Sequence, residues 1–152
     1  MSATDEAPDR IEREILIHAP IERVWDLVSE PGWFIGDGEP AHRTVSRDGD
    51  FAVVNFPPYG TFPVRNVAAA APHYVASRAM DDPARPQVEA ARTLVEFHLS
   101  EQAGGTLLQV VESGFVDAYP SAKRRAAAVA ENIEGWELQL GVAKRDAERP
   151  AE

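Results

Sequence analysis

The chain has 152 residues, of which 44% are hydrophobic and 26% are charged, and it contains no cysteine. This length and composition predict one globular domain with one core, and exclude a fibrous or disordered chain. The 25 acidic and 15 basic side chains leave a net charge of −10, so neither nucleic acid nor an anionic membrane surface is an expected partner. Disulfides and cysteine-ligated metals are excluded.

The amino-terminal stretch MSATDEAPDR is polar and acidic, unlike a secretory signal. The sequence also lacks a run of about 18 apolar residues, so we expect no transmembrane helix. A cytoplasmic location is the resulting prediction. Residues 1–9 show no periodicity and are predicted to form a disordered tail, followed by a single domain over residues 10–148.

The domain is predicted to start with a strand and a helix. Apolar and charged residues alternate from Arg10 to His18, as in a half-buried strand. Pro20 then stands where a first helical turn tolerates proline, and apolar side chains follow at helical spacing at Ile21, Val24, Trp25 and Val28. The next segment, GWFIGDGEP, is rich in glycine and proline, and we interpret it as a short second helix with a loop.

The middle of the chain is predicted to be an antiparallel meander. Strand-like runs between His42 and about residue 115 are separated by turn signals at 48–50, at 57–60, after Met80 and at 103–105. The segment 81–91 contains two prolines and is interpreted as the longest connection, serving as a rim or lid.

A long helix is predicted to close the domain. The strand alternation stops beyond Asp117, and Pro120 introduces the new element. Apolar side chains then recur at helical spacing on one face, at Val129, Ile133, Trp136 and Leu140.

This order of elements resembles the helix-grip layout of the START-like, or polyketide cyclase-like, superfamily (SRPBCC). Four stretches resemble more specifically the activator of heat-shock protein 90 ATPase-like family: IEREILIHAPIERVWDLVSEPG, YGTFPVRNVAAAAPHYVASRAM, TLLQVVESGF and ENIEGW. Together they cover most of residues 10–146. The resemblance implies an α+β fold: a curved antiparallel sheet of about six to seven strands wrapped around a long C-terminal helix, with two short helices after the first strand.

The same resemblance implies a bacterial single-domain protein that binds a small, largely hydrophobic molecule between sheet and helix and uses no cofactor. In the eukaryotic activators this domain accompanies a separate chaperone-binding domain, for which 152 residues leave no room. A chaperone partner is therefore the less favoured alternative. Because one fold hosts many activities, the function has to be argued from the site.

The strand HYVASRAM predicts a roomy interior. Val75, Ser77 and Ala79 share one face of it, and the family resemblance places bulky residues where Ser77 and Ala79 stand. If this face points inward, either a cavity opens or Trp33, Tyr74 or the lid fills the space. Other side chains predicted to line the interior, as core residues or as ligand contacts, are Trp33, Phe34, Phe51, Val53, Phe62, Val95, Phe97, Leu108, Val110, Ile133 and Trp136.

Glu112 is the candidate catalytic residue, because alternation through Leu108 and Val110 places it on the inward face. A buried carboxyl group without a partner would serve as a hydrogen-bond donor to a ligand or as a general acid. The alternative is a structural hydrogen bond or salt bridge, with Arg43, Arg65 or Arg78 as the expected partner.

Motifs for other chemistries are missing. The four histidines, His18, His42, His73 and His98, come from separate segments without metal-ligand spacing, and His98 is expected to point outward. No GxSxG, Walker or GxGxxG sequence occurs. We therefore expect no metal site. A cyclase or hydrolase using Glu112, assisted by Tyr74 or a histidine, is an alternative to ligand binding.

Overall fold

The computed structural model describes residues 9–48, 51–57, 60–79 and 93–149. The strands are β1 Arg10–Ile17, β2 Thr44–Asp48, β3 Phe51–Phe56, β4 Gly60–Ala70, β5 Tyr74–Ala79, β6 Leu94–Gln102 and β7 Gly105–Ser113. The helices are α1 Ile21–Val28, α2 Phe115–Ala118 and α3 Ala122–Glu148, and a short 3₁₀ helix spans Pro40–His42.

The seven strands form one antiparallel sheet in the order β1-β7-β6-β5-β4-β3-β2. The segment containing α1 carries the chain from β1, at one edge, to β2 at the other. The remaining strands then return one by one until β7 pairs with β1. The predicted α+β fold, with a meander and a long terminal helix, is confirmed.

Helix α3 has 27 residues and is therefore about 40 Å long. Ser121 caps it, because the Ser121 side chain accepts a hydrogen bond from the Arg124 backbone N–H at 3.3 Å. Its predicted apolar face packs towards the sheet: Val129, Trp136 and Leu140 are buried, and Ile133 is half-buried against the core.

The main core lies between the inner face of the sheet, α1 and α3. Helix α1 buries Ile21, Val24 and Val28, and these side chains meet apolar residues from β1 and β7 such as Ile17 and Leu108. The predicted amphipathic pattern of α1 is thus the pattern of its burial. Among the described helices, none is long and apolar enough to cross a membrane.

Two boundaries differ from the sequence prediction. The second short helix is the 3₁₀ helix at Pro40–His42, whereas the segment after Pro31 forms consecutive turns. Gly32 and Gly36 there have φ angles of 76° and 136°, which are incompatible with a right-handed helix. Strand β7 ends at Ser113, slightly earlier than predicted, because α2 begins at Phe115.

The predicted tail and lid fall largely outside the described residues, which exclude 1–8 and 80–92. Asp9 is described, and two hydrogen bonds join it to the start of α2. Its backbone carbonyl accepts from the Phe115 N–H at 3.2 Å, and its Oδ1 accepts from the Val116 N–H at 2.8 Å.

Candidate functional site

A cavity of about 400 Å³ lies between the inner face of the sheet and α3. Strands β4 to β7, the turn after Gly32 and the middle of α3 form its walls. Glu131 and Leu138 of α3 also line it and are exposed, so they mark its mouth. The volume falls in the usual range of small-molecule sites, about 300–1,000 Å³.

Small residues on both sides create this space. Ser77 and Ala79 face the cavity from β5, and Gly135 faces it from α3. A Cβ atom built on Gly135 would meet no atom of the described residues within 4 Å. The inward direction of Ser77 follows from its pairing with Val95 of β6, which also lines the cavity.

Glu112 lies deep in the wall, with only 5% of its surface exposed. It shares a row across three strands with Val95 and Ser77, because Ser77 pairs with Val95 and Val95 pairs with Glu112. Adjacent strands are about 4.8 Å apart, so the backbones of Ser77 and Glu112 are separated by roughly 10 Å.

Three neutral donors hold the Glu112 carboxylate. Trp136 Nε1 donates to Oε1 at 2.8 Å, and the Thr93 hydroxyl donates to Oε2 at 2.7 Å. Asn132 Nδ2 lies 3.1 Å from Oε1 and 3.2 Å from Oε2. Indole and amide N–H groups can only donate, so both carboxylate oxygens are acceptors and their lone pairs are largely used.

Glu112 thus makes the structural hydrogen bonds that the sequence offered as an alternative to catalysis, but the expected arginine partners are not among the donors. Arg43 donates instead to the backbone carbonyls of Gly32 and Ile35. Arg65 pairs in register with Arg78, and both alternate with cavity-lining residues, so they occupy the outer face of the sheet.

The negative charge of Glu112 also affects the pKa of a residue beyond its hydrogen-bond partners. Burial, and after it the charge of Glu112, raises the pKa of Tyr119, and Glu131 adds a smaller contribution in the same direction. The charges of Glu112 and Glu131, which both line the cavity, therefore reach the Tyr119 hydroxyl.

The Ser77 hydroxyl is an unsatisfied polar group of the wall. Ser77 is 2% exposed, and its Oγ has no hydrogen-bond partner among the residues that the structure describes. Its register neighbour Asn66 donates to the Ser29 carbonyl at 2.8 Å. A buried hydroxyl left unpaired costs about 1–3 kcal/mol, so a group that bonded to it from within the cavity would gain that stabilisation.

The turn that carries Phe34 and Ile35 into the cavity is tied at several points. Arg43 Nη1 donates to the Gly32 carbonyl at 3.0 Å and also to the Ile35 carbonyl. Gln139 of α3 donates to the Gly36 carbonyl at 2.8 Å. The Gly32 carbonyl also accepts from the Ile35 N–H at 3.0 Å within the turn. Together these bonds position the two apolar side chains.

The predicted lining residues separate into groups. Half of them line the cavity: Phe34, Phe62, Ser77, Ala79, Val95, Glu112 and Trp136. Others belong to the packed core beside it: Trp33, Phe97, Leu108, Val110 and Ile133. Trp33 packs on Phe97 with ring centroids 5.3 Å apart, so it does not fill the space.

Two predicted positions on β3 need correction or lie outside the description. Val53 pairs with Pro63, whereas Ala52 and Val54 pair with the cavity-lining Val64 and Phe62. Val53 therefore faces away from the cavity. FAVVNF is apolar at adjacent positions, so its pattern does not select a face. The Phe51 side chain is outside the described part of the structure.

Tyr74 and the histidines do not reach Glu112. Tyr74 is on the outer face of β5, where its hydroxyl donates to Glu96 at 2.6 Å. That hydrogen bond, with burial, raises the pKa of Tyr74 to about 12. His98 is exposed beside Tyr74 on the same face, as predicted, and no histidine is among the described residues that line the cavity.

Sequence reasoning missed several cavity residues, notably Ile35, Val64, Thr93, Asn132, Gly135 and Gln139. Val64 could have been found from the alternation with Phe62. Asn132 is four residues before Trp136, so it lies beside the predicted apolar face of α3. Gly135, three residues after Asn132, lies further around the helix, where the apolar pattern gives no signal. Thr93 carries no sequence signal of its own, because its role depends on Glu112, 19 residues away.

Comparison with solved structures identifies the fold. Protein MLL2253 from Mesorhizobium loti superposes with a TM-score of 0.68 and 17% identity, over 94% of this chain and 99% of that one. The Aha1 dimer from Colwellia psychrerythraea matches with a TM-score of 0.67 and 14% identity, over 92% of this chain and 96% of that one. The chain has a START-like, helix-grip fold.

DynU16, a putative protein in the dynemicin biosynthetic locus, has the same fold, with a TM-score of 0.67 and 19% identity, over 93% of this chain and 48% of that one. No protein-family model and no curated protein matches the sequence. At these low sequence identities, the structural similarity establishes the fold but not the function. The finer resemblance to the ATPase-activator family stays a prediction.

Proposed function

We propose that this domain binds a small, largely hydrophobic ligand in the cavity between the sheet and α3. The observation that carries the proposal is the cavity of about 400 Å³, which includes the buried and unpaired Ser77 hydroxyl. Native interiors are close-packed and seldom leave this much space without use. Mostly apolar walls with a few polar atoms are typical of small-molecule sites.

Catalysis by Glu112 is the weaker alternative. A general acid or base has to exchange a proton with a bound molecule, but both Glu112 oxygens already accept from Thr93, Asn132 and Trp136. The described wall offers no histidine or tyrosine as a second titratable partner. We do not extend the proposal to a chaperone partner, because 14% identity to the Aha1 dimer supports only the fold.

The experiment compares two glycines of α3. Gly135 lines the cavity, whereas Gly141 is exposed, and a Cβ atom on either would meet nothing within 4 Å. Gly135→Leu and Gly141→Leu both remove a helix-destabilising glycine, so both variants should be more stable by about 0.5–1 kcal/mol. Only Gly135→Leu places a side chain in the cavity.

Binding is measured by titrating the neutral apolar dye Nile red into each protein and following its fluorescence. We expect wild type and Gly141→Leu to bind alike, and Gly135→Leu to lose most of its affinity. Native mass spectrometry of protein purified from its own host should show a repeatable added mass that is absent in Gly135→Leu. Equal dye binding by the two leucine variants, or none by wild type, contradicts the proposal.

A further inference from the structure

The charge of the cavity wall restricts the ligands it can accept. Glu112 and Glu131 both line it, whereas no lysine, arginine or histidine is among the described residues of the wall. Among these described residues, a carboxylate or phosphate entering the space would meet no cation in exchange for the hydration it loses. It would also approach two negative charges through a medium less polarisable than water, which strengthens the repulsion.

Hydrogen bonds hold the Glu112 carboxylate in one orientation, so it cannot rotate away from such a ligand. Trp136 Nε1 and Thr93 Oγ1 each hold one carboxylate oxygen at 2.8 and 2.7 Å, and both partners are themselves buried. The charge is therefore fixed on the inner face of the sheet. Glu131 is exposed at the mouth, where solvent and salt reduce its influence.

Ser77 marks the place where the ligand carries its polar atom. The Ser77 hydroxyl has no partner within the described part of the chain, and a serine hydroxyl can both donate and accept. Its neighbours on β6 and on its own strand, Val95 and Ala79, are apolar, and its neighbour on β4, Asn66, donates to the Ser29 carbonyl. One oxygen on an otherwise apolar molecule would satisfy it.

We infer, resting on the proposed function, that the ligand is an uncharged and mainly apolar molecule. One of its hydroxyl or carbonyl oxygens hydrogen-bonds to Ser77, while Glu112 and Glu131 exclude carboxylate- and phosphate-bearing molecules. An alcohol, phenol or ketone satisfies this description, and a free fatty acid does not.

The test uses three probes of one shape at pH 7: 2-naphthol, 2-methylnaphthalene and 2-naphthoate. Each is titrated against protein loaded with Nile red, and 1-decanol with decanoate repeats the comparison on a linear shape. We expect the neutral alcohols to displace the dye at concentrations at least about tenfold below the matched carboxylates. Ser77→Ala should weaken 2-naphthol by about two- to tenfold and leave 2-methylnaphthalene unchanged. Ser100→Ala, at an exposed position on β6, is the control and should change neither.

Variants of Glu112 and Glu131 test whether these two carboxylates exclude anionic ligands. Glu112→Gln keeps the shape and an acceptor oxygen for Trp136, so the preference for 2-naphthol over 2-naphthoate should fall towards one. Glu131→Gln should lower it less, because Glu131 is exposed. Glu134→Gln, an exposed neighbour on α3 outside the cavity wall, should leave it unchanged. If Glu112→Gln does not fold, the comparison of Glu131→Gln with Glu134→Gln still decides.

The outcomes separate this inference from the proposed function. If Nile red binds and Gly135→Leu abolishes its binding, the cavity is a binding site. The inference is then wrong if the carboxylates displace the dye as well as the alcohols do, if no alcohol displaces it, or if Ser77→Ala affects 2-naphthol and 2-methylnaphthalene equally. If Nile red does not bind wild type at all, the proposed function itself fails.

Discussion

On the β1 and β7 side of the sheet, Ile17, Leu108 and Ala143 have no exposed surface, whereas on the β4 and β5 side Ser77 and Ala79 face a cavity of about 400 Å³. We call the first region, formed by β1, β7, α1 and the last turns of α3, the closed half. The second, formed by β4, β5 and the middle of α3, is the open half.

The two halves share the same alternation of inward and outward residues, and they differ in side-chain volume. In the closed half, isoleucine, leucine and valine fill the gap between sheet and helix. In the open half, serine and alanine on β5 lie across from a glycine on α3. Hydrophobic patterning therefore decides which face is buried, and residue size decides whether the buried space is filled.

The largest expected effect comes from truncating the closed half. Leu108→Ala should lower the free energy of unfolding by about 2–5 kcal/mol, because the surrounding core cannot collapse onto the space. Phe62→Ala, on the half-buried wall of the open half, should cost only about 1 kcal/mol. Urea denaturation followed by circular dichroism measures both. Equal losses would contradict the division into two halves.

Enlarging an alanine should give opposite results in the two halves. Ala143 is completely buried in the closed half, so Ala143→Leu should overpack the core and cost about 1–3 kcal/mol. Ala79→Leu extends into the cavity and should stay within about 1 kcal/mol of wild type, while displacing Nile red. Thermal unfolding in the same buffer measures the pair, and a large loss for Ala79→Leu would show that the open half has no room.

The smallest expected effect on stability concerns an exposed pair, Asp37 and His42, in the segment that follows the turn carrying Phe34 and Ile35. The hydrogen bond between Asp37 and His42, 2.7 Å long, lowers the pKa of Asp37 and raises that of His42. The His42 contribution to stability is complete below its ordinary pKa of 6.5 and is lost as the pH rises through the raised value. The Asp37 contribution is present above 3.8 and is lost as the pH falls through the lowered value.

The pair thus stabilises this loop most between pH 3.8 and 6.5. NMR titration of His42 checks this: Asp37→Asn should move its midpoint down. Glu39→Gln should move it less, since Glu39 makes the smallest contribution to the raised pKa of His42. An unchanged midpoint in Asp37→Asn would show that the hydrogen bond does not persist in solution.

Much of the cavity wall could be predicted from the sequence. The period of two along β5 and β7 placed Ser77, Ala79 and Glu112 on the cavity wall, and the helical period of α3 placed Trp136 there. Val53 was misplaced, because β3 is apolar on both faces, and the choice between them is made by its pairing with β4.

The partners of Glu112 could not be predicted in the same way. Arginine was expected because it is the usual companion of a buried carboxylate. Instead, a threonine, an asparagine and a tryptophan, 19, 20 and 24 residues away along the chain, supply the hydrogen bonds. The pairing of β6 with β7 brings Thr93, just before β6, to the carboxylate, and the placement of α3 against the sheet brings Asn132 and Trp136 there.

By itself the sequence determined the antiparallel meander, the long terminal helix and the buried faces of β1, β5, β7, α1 and α3, because these follow from local periodicity and turn residues. The tertiary structure alone decided that small residues from β5 and α3 coincide around one cavity and that Glu112 is held by neutral donors. It also decided that the Ser77 hydroxyl finds no partner among the described residues. Such features depend on strand register and on the distance between helix and sheet, which are set by packing across the whole core.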